Sequence, residues 1–208
     1  MVQGIAEVIG VIDYRLNNLR SISSALSRAE IDHEVIDNPR EISNFDRVIL
    51  PGVGSFAAGM QQLRLEGWDS AITQYVKQDV KFLGICLGMQ LLFDSSSEFV
   101  EEAGLGLLSG NVTQFPPQKQ MPVPHMGWNS FTRNRSHELL AKIKDGVDVY
   151  FVHSFFVNPK DDSDVLASTE YGRSFPSIVL RGNILGVQFH PEKSYPAGIQ
   201  LLRNFSSW

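Results

Sequence analysis

Three residues sit in settings that would suit chemistry. Cys86 lies in Gly84-Ile85-Cys86-Leu87-Gly88, directly after the apolar run Lys81-Phe82-Leu83-Gly84-Ile85. A strand that turns sharply into a helix at a reactive residue needs small neighbours two positions either side, because the backbone passes close to itself there. The turn holds the nucleophile in a strained conformation, and the amides opening the next helix favour first a thiolate and then an oxyanion. No second cysteine exists to pair with it. The plainer alternative is a buried core cysteine, a common place for a free thiol.

A thiolate needs a group that takes a proton and later gives one to a departing amine, and histidine suits both tasks near neutral pH. The candidates are His33, His125, His137, His153 and His190. His190 is distinguished by Phe189-His190-Pro191-Glu192. Proline biases the residue before it toward extended backbone, and residues two apart in extended chain point to one side. Glu192 can then lie beside the imidazole, fix its tautomer and stabilise its protonated form. Otherwise His190 merely ends a strand and Glu192 is a solvated charge.

These residues must be positioned by the elements around them. Short β-branched runs alternate with helical stretches in the first half, the pattern of an α/β protein with a mostly parallel central sheet flanked by helices. Strands are predicted at about 8–12, 34–36, 46–50 and 81–85, with helices at about 17–28, 56–64, 68–77 and, after Cys86, 87–93. The C-terminal half is richer in strands, at about 112–115, 128–132, 147–152, 165–169, 177–181 and 184–189, before a last helix near 197–205. Extra antiparallel strands are expected there, with Arg181-Gly182-Asn183 as a tight hairpin loop. The proline-rich run 116–124 reads as a surface connection, so residues 1–208 are expected to form one domain.

Composition narrows the classes. A net charge of −5 and a pI near 5.5 argue against a nucleic-acid binder. No apolar stretch approaches the roughly 20 residues that span a bilayer. Neither the basic and apolar regions of a signal peptide nor a second cysteine is present, which suits a cytoplasmic protein. There is no metal-ligand cluster and no phosphate-cradling P-loop, so no cofactor and no metal is expected. Arg15, Leu16 and Asn17 follow the first strand where a dinucleotide binder would need glycines.

The segments Gly84-Ile85-Cys86-Leu87-Gly88-Met89-Gln90 and Gly186-Val187-Gln188-Phe189-His190-Pro191-Glu192-Lys193-Ser194 closely resemble the two signature motifs of class I, triad-type glutamine amidotransferases. Their order and wide separation match as well, and the fold implied is flavodoxin-like. The resemblance implies a triad of Cys86, His190 and Glu192. It makes Pro51-Gly52-Val53-Gly54 an oxyanion strand, with Gly52, Val53 and Leu87 around the tetrahedral intermediate. Gln90, His153 and Ser154 would hold the amino-acid end of glutamine.

Within the family, Pro124-His125-Met126-Gly127-Trp128-Asn129 and Tyr150-Phe151-Val152-His153-Ser154-Phe155 resemble the amidotransferase subunits of imidazole glycerol phosphate synthase. That implies a glutaminase in a heterodimer, passing ammonia to a (β/α)8 cyclase in histidine biosynthesis. His125, Met126, Trp128, Asn129 and Lys193 would lie toward that partner. Trp128 could instead be a core aromatic, and His153 a satisfied buried histidine. The chain departs from the family where Arg15 and Asn17 replace glycines, and where Phe155 replaces a common tyrosine. If those glycines have positive φ, Arg15 is strained and asparagine replaces the other cheaply. A sugar-amidating partner is the alternative acceptor. A stand-alone cysteine hydrolase and a retired, non-catalytic subunit are the rival classes.

Overall fold

The computed structural model describes residues 8–98, 101–116 and 121–208. Near-continuous apolar runs become strands covered on both faces. These are β1 (Ile9–Ile12), β3 (Arg47–Gly52), β4 (Lys81–Cys86) and β13 (Ile184–Val187), joined at one edge by β2 (His33–Ile36). All five run parallel, in the order β2-β1-β3-β4-β13. Antiparallel strands extend the same sheet: β12 (Ser174–Arg181), β11 (Val165–Glu170), β8 (His125–Arg133) and β9 (Asp148–His153).

Alternation along the parallel strands divides the core between the two faces. Ile49, Leu83 and Ile85 join the cluster under α1 (Leu19–Arg28) and α5 (Ala197–Ser206). Val48, Leu50 and Phe82 join the one under α2 (Phe56–Glu66) and α3 (Trp68–Tyr75), with Trp68 fully buried. Each such aliphatic side chain contributes about 1.5–3 kcal/mol by leaving water. Helix α1 starts where Asn18 accepts from the Ser21 amide at 3.4 Å, and its buried stripe is Ile22, Ala25 and Leu26.

Two expectations are corrected. The helix after Cys86 is only α4 (Leu87–Gln90); the chain then turns into strand β5 (Phe93–Ser96). Carbonyls that a longer helix would use are taken by a crossing segment: Leu91 accepts from Leu105 at 2.9 Å and Leu92 from Leu107 at 2.8 Å. Strand β5 belongs to a second sheet, ordered β10-β7-β5-β6, with β6 (Glu102–Ala103), β7 (Leu108–Gln114) and β10 (Phe155–Pro159). The expected strand at 184–189 stops at Val187, which frees Gln188 and His190 to turn toward Cys86 and the cavity, while Phe189 packs in the core. The hairpin at 181–183 is present, joining β12 to β13. Of the proline-rich run, residues 117–120 lie outside the described residues.

Candidate active site

Strand β4 ends on Cys86 at φ 55° and ψ −110°, and α4 begins at the next residue. That positive φ is the strain expected of an elbow. The flanking glycines are there for space. A Cβ on Gly84 would come within 2.7 Å of the Gly88 carbonyl oxygen, and one on Gly88 would overlap the Leu50 carbonyl of the neighbouring strand. The thiol is nearly buried and opens into a cavity of about 480 Å³.

His190 lines the same cavity, entering just past β13, the strand paired with β4. Its backbone is extended, as expected before Pro191, and its amide donates to the Tyr150 carbonyl at 2.9 Å. Glu192 reaches back through a tight 3-10 turn at Pro191–Lys193, not along extended chain, and its Oε1 accepts from His190 Nδ1 at 2.7 Å. Both side chains are only 6% exposed, so the contact is poorly screened by water. Ser194, which sequence reasoning left without a role, locks this turn. Its hydroxyl donates to the His190 carbonyl at 2.6 Å and accepts from the Tyr150 amide at 2.9 Å.

With Nδ1–H given to Glu192, Nε2 of His190 is buried and has no hydrogen-bond partner among the described residues. It is the nitrogen left to exchange protons with Cys86 and substrate. Burial alone would lower the pKa of His190. The nearby Cys86 sulfur and the hydrogen-bonded Glu192 carboxylate outweigh it and push the pKa up to about 10. A protonated imidazole held in this way has its Nε2 proton to give to a leaving group.

Gln90, His153 and Ser154 all line the cavity, as expected. Gln90 is nearly buried; its amide donates to the Phe155 carbonyl and to Gln188 Oε1, both at 3.0 Å. Gln188, also missed from sequence, is fully buried and sends its own amide toward Cys86 Sγ at 3.8 Å. Glu98 is a third residue not foreseen: its carboxylate caps α2 by accepting from the Phe56 amide at 2.6 Å, and it lines the cavity opposite Lys193. No group of three or more potential metal ligands occurs among the described residues.

Gly52 and Val53 flank the cysteine, Gly52 pairing with Cys86 across β3 and β4. The Val53 amide is not free, however: it donates to the Leu16 carbonyl at 3.1 Å. Leu16 is held out by the turn after β1, where Arg15 does sit at φ 71°. Asp13 stabilises that turn by accepting from the Arg15 amide at 2.9 Å and from Asn17 Nδ2 at 3.2 Å. The Arg15 guanidinium adds long contacts of 3.7 Å to Asp13 and Glu66. Asn17 replaces its glycine without a positive φ.

The profile of the family "Glutamine amidotransferase class-I" matches residues 10–207. The chain belongs to the class-I glutamine amidotransferases. The chain is 43% identical to imidazole glycerol phosphate synthase subunit HisH of Desulfitobacterium hafniense (strain Y51), over 97% of this chain and 94% of that one. It is 46% identical to the subunit of the same name from Moorella thermoacetica, covering 95% and 93% respectively. A crystal structure of a glutamine amidotransferase superposes with a TM-score of 0.74 over 96% of this chain and 97% of that one; at 20% identity this shows the fold.

On this amidotransferase β8 carries exposed apolar side chains next to the cavity wall, Met126 pairing across the sheet with the lining residue Val152. Met126 is 62% exposed and Trp128 57%, so Trp128 is not a core aromatic. Trp128 packs edge-on against Tyr150, over which Lys193 Nζ lies 5.2 Å from the ring centre. His125 corrects the sequence reading. It was expected toward a partner, but alternation along β8 turns it inward with Asn129, and it is only 3% exposed. His153 is a satisfied buried histidine and a cavity residue at once.

Proposed function

We propose that this chain is the glutaminase subunit of an imidazole glycerol phosphate synthase, hydrolysing glutamine and passing ammonia to a cyclase subunit in histidine biosynthesis. The observation that carries the reading is the buried array of an elbow cysteine, an unpartnered His190 Nε2 and a Glu192 carboxylate around one cavity. The relatives' names, as subunits of imidazole glycerol phosphate synthase, support assigning the chain to that enzyme. We take residues 1–208 as one amidotransferase domain working in the cytoplasm; among the described residues no helix is long and apolar enough to cross a membrane.

In this reading Cys86 Sγ attacks the side-chain carbonyl of glutamine, and His190 protonates the nitrogen as the carbon–nitrogen bond breaks. Ammonia leaves and a γ-glutamyl thioester remains. Water, deprotonated by His190, attacks that thioester, releasing glutamate and restoring the thiol. Glu98 would pair with the substrate's ammonium, and Gln90 with the His153-Ser154 backbone would hold its amino-acid end, all of them lining the cavity. The oxyanion falls to the amides of Leu87 and Val53. One such donor is worth about 3 kcal/mol of barrier.

Because the Val53 amide is engaged by Leu16, the resting hole lacks a donor. Hydrolysis is therefore slow until the Gly52–Val53 peptide turns, which prevents waste of glutamine when no acceptor is present. The partner is a (β/α)8 barrel docked on the exposed Met126 and Trp128 and on Lys193. Glutamate production should be weak for the chain alone and strongly stimulated by a cognate cyclase with its ribulosyl aminoimidazole carboxamide nucleotide. It should vanish in Cys86→Ala. Active chain that ignores the cyclase would redirect the assignment to another acceptor, such as an amidated sugar nucleotide.

A further inference from the structure

We propose that His125 and Asn129 are positioning residues for the glutamine pocket, acting through His153 to hold the 153–155 segment and, through it, Gln90. The proposal rests on the reading of this cavity as the glutamine site. Its basis is a hydrogen-bonded string with only one consistent direction. His153 Nδ1 lies 2.8 Å from the Phe155 carbonyl oxygen, which can only accept, so Nδ1 carries the hydrogen. In a neutral ring Nε2 is then an acceptor, and His125 Nδ1, 2.9 Å away, must donate to it. That leaves His125 Nε2 to accept from Asn129 Nδ2 at 3.2 Å. The second hydrogen of that amide goes to the Glu170 carbonyl at 2.9 Å, and Asn129 Oδ1 accepts from the Ser130 amide at 2.8 Å.

Every polar atom of the three side chains is thereby used, with both rings neutral. Burial keeps them so, holding the pKa of His125 down to about 4 and that of His153 to about 3. An aromatic box fixes the rings in place: His125 stacks on Tyr171 at 3.9 Å and on Phe151 at 4.8 Å, and Phe115 and Phe175 close the edges.

A pair of satisfied core histidines would need nothing more. What sets this one apart is where it ends. The Phe155 carbonyl accepts both from His153 and from Gln90 at 3.0 Å, and the other hydrogen of the Gln90 amide is on Gln188, which faces Cys86. If His125 stops donating, His153 is free to take the other tautomer. Its Nδ1 lone pair then opposes the Phe155 oxygen, the 154–155 backbone moves away, and Gln90 loses its anchor.

The test separates packing from hydrogen bonding at His125, reading glutamine affinity by calorimetry in a Cys86→Ala background so that no turnover or partner is needed. His125→Phe keeps a ring in the aromatic box but cannot donate. His125→Asn keeps an N–H near the Nδ1 position but loses the stack. The expected result is a dissociation constant raised about tenfold in His125→Phe and within about threefold of the parent in His125→Asn, although the asparagine variant melts at the lower temperature. Affinity that follows melting temperature across the two variants, or a His125→Phe value within about twofold of the parent, overturns the proposal. If the parent itself does not bind glutamine, the pocket reading falls and this inference with it. Independently of any substitution, imidazole nitrogen shifts should show both rings neutral with the hydrogen on Nδ1; an Nε2–H tautomer at His153 contradicts the string.

Discussion

Glu192 controls how long His190 keeps its proton. Against burial, which pulls the pKa down, the carboxylate and Cys86 hold it up near 10. The alkaline limb of kcat/KM, which reports loss of the acid that serves the leaving ammonia, is therefore expected near that pH. In Glu192→Gln it moves to lower pH, because the upward pull weakens while the burial remains. An unmoved limb in a folded variant contradicts this role. A second expectation concerns space, not charge. Gly88→Ala places a methyl on the Leu50 carbonyl, in backbone that cannot yield cheaply. Urea unfolding should show a loss of more than about 2 kcal/mol, and a variant as stable as wild type would refute the close approach. The grouping of Cys86, His190 and Glu192 was legible because each sits in a short run whose local chemistry announces it. Gln188 and Ser194 were not, because their roles come from Gln90, Cys86 and Tyr150, distant in sequence.

At the scale of elements, the proposed mechanism makes the turn after β1 a catch on the oxyanion strand, through the Leu16 carbonyl on the Val53 amide. Asp13 holds the turn through Arg15 and Asn17, and the turn presents Leu16 to the Val53 amide. Asp13→Ala should loosen it, raising the unstimulated glutaminase rate about three- to tenfold, the effect of losing one or two hydrogen bonds, and lowering the stimulation ratio. An unchanged ratio with intact fold would show that the catch lies elsewhere. The parallel strands could be read from their apolar runs, and positive φ at Arg15 from the glycine it replaces. The short α4, β5 and β10 could not. They are set by carbonyls taken up by the 104–108 segment and by pairing with β7, neither of which leaves a local periodic signal.

For the whole molecule, the mixed sheet brings the ends of β3, β4 and β13 to one edge of the cavity and β9 to the other, with the exposed Met126 and Trp128 beside its mouth. Trp128→Ala should weaken partner binding by about 2 kcal/mol or more, as for a central interface aromatic, and leave the chain's own melting temperature nearly unchanged because the ring is already exposed. A drop in melting temperature with unaltered partner affinity would make it a structural residue. Strand character at 128–132 was visible in sequence, but not that the strand begins at His125; the resemblance alone put His125 on the partner's side, and the strand's alternation turns it inside.

In the proposed mechanism Cys86 forms an acyl bond with glutamine under the control of His190. Acid quenching of the chain during turnover, with and without the cyclase, followed by peptide mass spectrometry, tests it directly. A γ-glutamyl adduct on the Cys86 peptide, accumulating with glutamine and absent from Cys86→Ala, is the expected result. Glutamate released at full rate by Cys86→Ala, or an adduct on any other residue, would contradict it.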